Sequence, residues 1–480
     1  MNPAVTQLRI IHTNDIHSHF ELLPKISSAI QSLKQPFEAD QLLVLDIGDH
    51  MDRMSVETEG SGGRANIEVM NYTGYDFVTI GNNEGLTFDS DQLRDLYGEH
   101  ADFSVTCANM FELDKEALPE WMAPYQIVHK AGMKIAVIGV TIDFVVYYRL
   151  LGWDVQDPLE IVDQWVRKLR SDADFIIVMS HLGINRDRQL AERTNGIDLI
   201  LGGHTHHLLE KPERLNGTAI CAAGRFGTHV GYVDVQFHKH TRSVLSIDGG
   251  CVQTADYEDD PGMAVLVKEH QNESRRQLKV PIAVIPQALS IDWNEESQLG
   301  NLLSSGIRKW TQAEIAIVNS GQILQSLLPG KVTWEMILEM CPSPINPCRM
   351  QLTGASILQA LEESLMPEYQ NQWIKGFGFR GKVLGQLCLS GLNVYYNPNG
   401  KPMRKIEKAI LENGELLQEN RRYSVGTLDM FTFGIGYLSL KEGAEVEYFL
   451  PEFIRDVLAR QLADRNEVLQ CSRKHWIAIC

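Results

Sequence analysis

Six short apolar runs in the first 255 or so residues each end in a polar residue or cluster. They are L-R-I-I-H-T-N-D (8–15), Q-L-L-V-L-D-I-G-D (41–49), Y-D-F-V-T-I-G-N (75–82), M-K-I-A-V-I-G-V-T (133–141), D-F-I-I-V-M-S-H (174–181) and I-D-L-I-L-G-G-H (197–204). Near-continuous Val, Ile and Leu marks strands buried on both faces. Amphipathic stretches such as Leu159 to Leu169 lie between them, and strand–helix alternation makes an α/β domain. Ligands of such domains sit beyond the carboxyl ends of the strands. Those ends carry Asp15, Asp49, Asn82, His181 and His204.

The character changes after Gly250. E-D-D-P-G (258–262) reads as a helix start, with Asp260 as N-cap and Pro261 in the first helical position. The charged, helical pattern runs to about Lys279 and is expected to connect two domains. A second α/β unit begins near Pro281, with strands expected at 313–319, 386–396 and 423–428 and helices at 297–310, 354–366 and 451–464. The expected organisation is 1–257, a connector helix over 258–280, and 281–480. A length of 480 residues accommodates it.

Several function classes fall away. No run of about 18 uninterrupted apolar residues exists, so no membrane span is expected. The start, M-N-P-A-V-T-Q-L-R-I-I, lacks the basic leader, apolar core and cleavage site of a signal peptide. The eight cysteines are scattered without a C-x-x-C pair, although Cys341 and Cys348 flank a Pro-rich loop and could approach each other. Free thiols are expected, as in a reducing compartment. These features together predict a soluble cytoplasmic protein. The formal charge of −18 argues against a nucleic-acid polymer as partner. A small phosphorylated substrate remains open, because bound cations can supply local positive charge.

Asp15 and His17 are two residues apart, so on a strand they would share one face. His204 and His206 stand in the same relation in G-G-H-T-H-H. With Asp49, Asn82 and His181 they make a set of seven oxygen and nitrogen donors. One bridging carboxylate and two or three further ligands per ion would use all seven. Two-metal sites hold their ions about 3.5–4 Å apart. Each D-x-H or H-x-H alone is a weak signal; their order along successive strand ends is not. A mixed N/O set suits Mn, Fe, Co, Ni or Zn, without choosing among them.

In that order, H-T-N-D-I-H-S-H-F, G-D, G-N-x-E, S-H-L-G and G-H-T-H resemble the calcineurin-like metallophosphoesterases. More closely, the chain resembles the bacterial 5′-nucleotidase, UDP-sugar hydrolase and 2′,3′-cyclic phosphodiesterase family. G-G-R-A-N-I-E-V-M-N-Y-T-G-Y-D (62–76) and A-A-G-R-F-G-T-H-V-G (222–231) carry that closer likeness. The second half is similar to the family's C-terminal substrate domain through V-N-S-G (318–321), L-T-G-A-S-I-L-Q-A-L-E-E-S (352–364), L-S-G-L (389–392) and G-x-G-Y (434–437). The resemblance implies an N-terminal four-layer α-β-β-α sandwich, a connector helix and a C-terminal α/β domain. It implies that Asp15, His17 and His206 hold one divalent ion, that Asn82, His181 and His204 hold a second, and that Asp49 bridges. Asn14 would orient the first loop, and His19 and His207 would stand behind the ligands.

The family reads G-N-H-E-x-D, its His acting at the scissile phosphate and its Asp orienting the His. This chain has Asn83 and Leu86 at those two places. Asn83 can donate a hydrogen bond to a phosphoryl oxygen but cannot transfer a proton at neutral pH. A general acid contributes about 10²–10⁴-fold, so a slower enzyme is expected, favouring phosphoanhydrides over simple monoesters. His50, beside Asp49, is the candidate for a displaced acid. In the second half, Leu324 stands where the family has a substrate-gripping Arg, and Ile435 where it has an acidic residue. Asn319, Gly321, Phe431, Phe433 and Tyr437 are the expected substrate contacts, with Phe377 and Phe379 nearby. Two of these rings would sandwich a base. The expected function is hydrolysis of a nucleotide or related phosphoanhydride or phosphodiester by in-line attack of metal-bound hydroxide. The alternative is a non-catalytic sensor of metal and phospholigand. A monomer is compatible with the sequence.

Overall fold

The computed structural model describes residues 4–376 and 378–479. The chain divides into two compact units, Met1–Gln277 and Leu278–Cys480.

The first unit is built on two sheets. One has the strand order Ser243–Gln253, His229–His238, Val5–Thr13, Leu42–Asp46, Phe77–Val78, Ser104–Thr106, Met122–Ala123. The other has the order Glu213–Leu215, Thr218–Cys221, Leu199–Gly202, Phe175–His181, Met133–Thr141, Tyr125–Lys130. Strand alternation divides each run between two cores. Ile135, Val137, Phe175, Ile177 and Met179 join Leu8, Ile10, Leu43 and Leu45 between the sheets. Their neighbours Ala136, Ile138, Ile176 and Val178 pack outward with Val162, Val166 and Leu190. Those last residues belong to helices Pro158–Leu169 and Ile184–Arg193. Helices Leu23–Lys34 and Arg64–Thr73 accompany the first sheet. The result is the expected α-β-β-α layering. Full burial of each such Leu, Ile, Val or Phe is worth about 1.5–3 kcal/mol, which is why the runs are apolar on both faces.

Within each sheet the central strands run parallel: Val5–Thr13 beside Leu42–Asp46 and then Phe77–Val78, and Met133–Thr141 beside Phe175–His181 and then Leu199–Gly202. One local expectation is corrected. The run 75–82 is not one strand: it pairs only over Phe77–Val78, and Asn82 opens helix Asn82–Thr87. Glu84 at the third helical position accepts the Gly81 N–H at 3.0 Å and so starts the helix there. The segment expected to connect domains is helix Pro261–Leu278. Asp260 caps it, accepting from Gly262 and Met263 N–H at 2.9 and 3.1 Å. Ser27 Oγ donates to Asp260 at 2.7 Å, and Ser274 Oγ to the Glu57 carbonyl at 3.1 Å. The helix therefore packs on the first unit.

The second unit holds a five-stranded sheet in the order Leu387–Ser390, Ile315–Asn319, Arg422–Leu428, Pro347–Thr353, Ala444–Tyr448. Helices Gln298–Thr311, Gly354–Ser364 and Ile454–Ala463 contribute to its core. The run 386–396, expected as one strand, is two. The chain leaves the main sheet at Gly391 (φ +77) and continues as Leu392–Lys401 in a three-stranded sheet. A Cβ at Gly391 would lie 2.3 Å from the Glu314 carbonyl oxygen, so no other residue fits the switch. Seven cysteines among the described residues, Cys341 and Cys348 included, are free thiols. No helix among the described residues is long and apolar enough to cross a membrane.

Candidate metal centre

The strand ends deliver loops, and the loops are held by one another. Asp15 N–H donates to the Gly48 carbonyl at 3.0 Å, His17 N–H to Asp49 at 2.9 Å and Ser18 N–H to His50 at 2.9 Å. Asp15, His17, Asp49, His204 and His206 all have φ between +50° and +71°. Non-glycine residues rarely adopt this region, and strain of about 1–3 kcal/mol per residue persists only where surroundings enforce it. This corrects the reason for the D-x-H and H-x-H pairs. Asp15 and His17 do not share the face of a strand; the strand ends at Thr13. Left-handed turns bring both side chains to one point.

Two groups of donors result. Ligand atoms of Asp15, His17 and His206 lie within 4.8 Å of one another, as do those of Asp49, His181 and His204. In the first, Nε2 of His17 and Nε2 of His206 are 3.0 Å apart, and lie 3.8 and 3.5 Å from Asp15 Oδ1. In the second, Asn82 Oδ1 lies 3.2 Å from His181 Nε2 and 2.7 Å from His204 Nδ1. Asp49 reaches both: Oδ1 is 3.4 Å from His181 Nε2 and Oδ2 is 3.8 Å from His17 Nε2. Imidazole lone pairs and carboxylate oxygens that converge this closely fit divalent cations lodged between them.

The electrostatics show the crowding. Burial pushes Asp15 up to about 6, with the Asp49 charge adding and His181 opposing. Burial also raises Asp49, but the charge and hydrogen bond of His181 outweigh it and hold Asp49 below the usual carboxylate range. The same pair works on His181: burial lowers it, Asp49 lifts it further, and it stands at about 10. Burial, followed by the His181 charge, brings His204 down to about 4; burial and His17 do the same to His206. His204 and His206 are thus held in the neutral form that a metal requires, whereas His181 would have to give up its proton on metal binding.

Supporting groups surround the candidate ligands. Asn14 Nδ2 donates to Asp15 Oδ2 at 2.7 Å and to the Gly224 carbonyl at 2.8 Å. His181 Nδ1 meets the Ile47 carbonyl at 2.7 Å, leaving Nε2 for the cluster. Glu84 accepts from Asp49, Met51 and Gly81 N–H at 3.0, 2.9 and 3.0 Å. Sequence reasoning quoted Glu84 in G-N-x-E without giving it a role. Asp52, whose Oδ2 lies 3.7 Å from His17 Nδ1, had no signal. Asn83 sits against the cluster, its Nδ2 2.8 Å from His17 Nδ1. His50 is buried, with Nδ1 3.3 Å from Asn66 Nδ2, and burial lowers its pKa to about 3. His19 pairs with Glu21 at 2.6 Å, and His207 Nδ1 lies 3.0 Å from Thr205 Oγ1.

The second-unit candidates are mostly interior. Asn319 is fully buried and donates to the Leu384 carbonyl at 2.7 Å. Gly321 lies where a Cβ would meet the Val383 carbonyl oxygen at 1.9 Å. Phe431 and Tyr437 are core side chains; Tyr437 Oη donates to Gly385 at 2.7 Å and its ring stacks on Tyr369. Phe379 is buried, and Phe377 lies outside the described residues. Phe433 alone of the five is exposed, at 40%. Beyond it, Gly434–Gly436, Tyr369, Trp373 and Lys375 line a cavity of ≈ 330 Å³. Trp373, exposed at 63%, was not singled out from the sequence.

Residues 8–208 match the calcineurin-like phosphoesterase family, and residues 277–440 match the 5′-nucleotidase C-terminal domain. The chain is 38% identical over 461 residues to the "Uncharacterized metallophosphoesterase YunD" of Bacillus subtilis, covering 95% of this chain and 99% of that one. It is 28% identical to the "Trifunctional nucleotide phosphoesterase protein YfkN" of the same organism, over 92% of this chain but 33% of that longer protein. The fold is similar to the structure of the Haemophilus influenzae NAD nucleotidase, with TM-score 0.70 at 18% identity, over 99% of this chain and 100% of that one.

Proposed function

The chain belongs to the calcineurin-like metallophosphoesterases that carry a 5′-nucleotidase C-terminal domain, and from that premise we propose how its site works on phosphorylated substrates. It is a hydrolase of phosphoester bonds, in a family that acts on small nucleotides. The observation that carries the proposal is the convergence of Asp15, His17 and His206 beside Asp49, His181 and His204, with Asn82 in the second group.

We assign one divalent ion to each group, with Asp49 between them. Bound divalent ions supply charge for the phosphoryl oxygens and activate water. The chain's own residues do the rest. Asn14 and Glu84 hold the loops that carry Asp15 and Asp49. The backbone carbonyl of Ile47 fixes the His181 ring. Asn83 stands in the place of the family's acid, and its amide has no proton to give at neutral pH. His50 is buried and neutral, so we assign it no proton transfer. Cleavage is then easiest where the leaving group departs as a stable anion. Phosphoanhydrides and activated diesters are the proposed substrates, ahead of alkyl monoesters.

The organic part of the substrate is assigned to the second unit. Phe433 and the exposed Trp373 are the rings we propose for it; Asn319, Gly321, Phe431 and Tyr437 would act by shaping that region from inside. We keep the organisation 1–257, 258–280 and 281–480 as the functional division. We also place the protein in the cytoplasm as a monomer with no nucleic-acid polymer or membrane as partner; its free thiols and net charge of −18 support this reading. No feature of the site favours a binding-only role.

The test is turnover of AMP, ADP, UDP-glucose, 2′,3′-cyclic AMP and bis-p-nitrophenyl phosphate by protein loaded with Mn²⁺, Zn²⁺ or Co²⁺. Turnover that disappears in Asp49→Asn supports the proposal. A wild-type protein inert on the whole panel with every metal would overturn it.

A further inference from the structure

The rim of the first ligand group carries a cation with no role so far. Phe226 marks the place. Its N–H donates to the Asp15 carbonyl at 2.7 Å, and its φ is +60°, so the backbone is bolted to a ligand residue in a strained conformation. Its ring lies 5.8 Å from the His17 ring, 6.0 Å from His206 and 4.4 Å from His19. The Arg225 guanidinium sits over that ring, 4.6 Å from its centroid. A cation over an aromatic face is held without being neutralised.

Two neighbouring nitrogen-bearing side chains are already paired. Arg186 pairs with Asp143 at 2.5 Å, and His19 with Glu21 at 2.6 Å. Arg225 is exposed and makes no carboxylate pair among the described residues. In a chain of net charge −18, a guanidinium left unpaired beside a phosphate-cleaving site is available to an anion that the substrate brings.

We infer that Arg225, seated on Phe226, binds a second anionic group of the substrate: the phosphate that departs when a phosphoanhydride is cleaved. This rests on the hydrolase reading above. In that step a water oxygen forms the new bond to phosphorus, and its proton is released to solvent. The bridging P–O bond breaks, and its electron pair leaves on the departing phosphate. With Asn83 in the acid's place no proton meets that charge. The planar guanidinium fork meets it instead, through charge-assisted hydrogen bonds. A simple monoester brings no second phosphoryl group to that position. Arg225 is thus a specificity residue for phosphoanhydrides.

The experiment compares wild type, Arg225→Ala and Arg225→Lys, all loaded with Mn²⁺. Steady-state kinetics on ADP and p-nitrophenyl phosphate are paired with calorimetric titration of methylenediphosphonate and of inorganic phosphate. Arg225→Ala is expected to lower the ratio of kcat/KM for ADP to that for p-nitrophenyl phosphate by roughly 10–100-fold. Methylenediphosphonate should weaken by a similar factor, inorganic phosphate by much less, and Arg225→Lys should recover part of both. An unchanged substrate ratio with unchanged methylenediphosphonate affinity overturns the inference alone. A protein that cleaves neither substrate, yet loses methylenediphosphonate on Arg225→Ala, overturns the hydrolase reading and supports the anion site.

Discussion

Nδ2 of Asn83 lies 2.8 Å from Nδ1 of His17, across the ring from the Nε2 that meets Asp15, Asp49 and His206. The same residue donates its backbone N–H to Asp49 Oδ1 at 2.8 Å and accepts from Asn82 Nδ2 at 3.3 Å. Asn83 therefore touches three of the seven candidate ligands. Groups that orient ligands are worth about 10–100-fold in metal affinity. Asn83→Ala should weaken Mn²⁺ binding by that order in calorimetric titration, while its thermal midpoint without metal stays near wild type. Wild-type affinity in Asn83→Ala would show that the ligands hold their places unaided.

A site without a proton donor should be sensitive to what leaves. Across aryl phosphates of rising leaving-group pKa, kcat/KM is expected to fall steeply. Alkyl monoesters should trail activated esters by about 10²–10⁴-fold, the scale of a missing general acid. The check is a series of phenols measured under one metal condition. Equal rates across the series would mean that some group still delivers a proton.

Glu84 gathers three backbone N–H groups, from Asp49, Met51 and Gly81, on a buried carboxyl. Burial, then the Asp49 charge, raises that carboxyl to about 8, so the comparison is made at about pH 9, where Glu84 is ionised and only accepts. In Glu84→Gln an amide N–H₂ replaces one accepting oxygen and faces a backbone donor. An unsatisfied buried donor costs about 1–3 kcal/mol. Urea denaturation should show that loss for Gln and a larger one for Ala, with turnover falling in both because Asp49 loses its anchor. Unaltered midpoints would remove Glu84 from the scaffold.

The strand ends were legible because burial on both faces forces a continuous apolar run, and such runs stop visibly at Asp46 or His181. The turns beyond them were not. Left-handed backbone is signalled by glycine, and here Asp15, His17, His204 and His206 adopt it with no glycine at their own positions. The seven candidate ligands could thus be listed while the reason for their convergence could not. The second unit was harder for another reason. Phe431, Phe433 and Tyr437 look alike as aromatic residues in one short stretch, and only packing decides that Phe433 is exposed while the others are core. Arg225 was visible in A-A-G-R-F-G, but its place over Phe226 at the metal rim depends on Asp15, His17 and His19, at the far end of the same unit in sequence.

Asp187 offers a test of the layer behind the metal centre. It lies on helix Ile184–Arg193, is buried, and accepts from Ser180 Oγ at 2.5 Å. Burial pushes its carboxyl from 3.8 up to about 8. The folded chain keeps this proton after the unfolded chain has released it. The folded state thus binds more protons between these two values, and stability falls as pH rises through that window. The contribution is complete below about pH 4 and lost once pH passes about 8. Asp187→Asn keeps an acceptor for Ser180 and removes the ionisation. Relative to wild type, its unfolding free energy from urea denaturation in EDTA should therefore improve between about pH 5 and about pH 9, by an amount on the order of a few kcal/mol. EDTA removes the metal, whose own binding is pH-dependent. Parallel stability profiles for the two proteins would mean that Asp187 ionises normally and that water or a cation reaches it in the folded state.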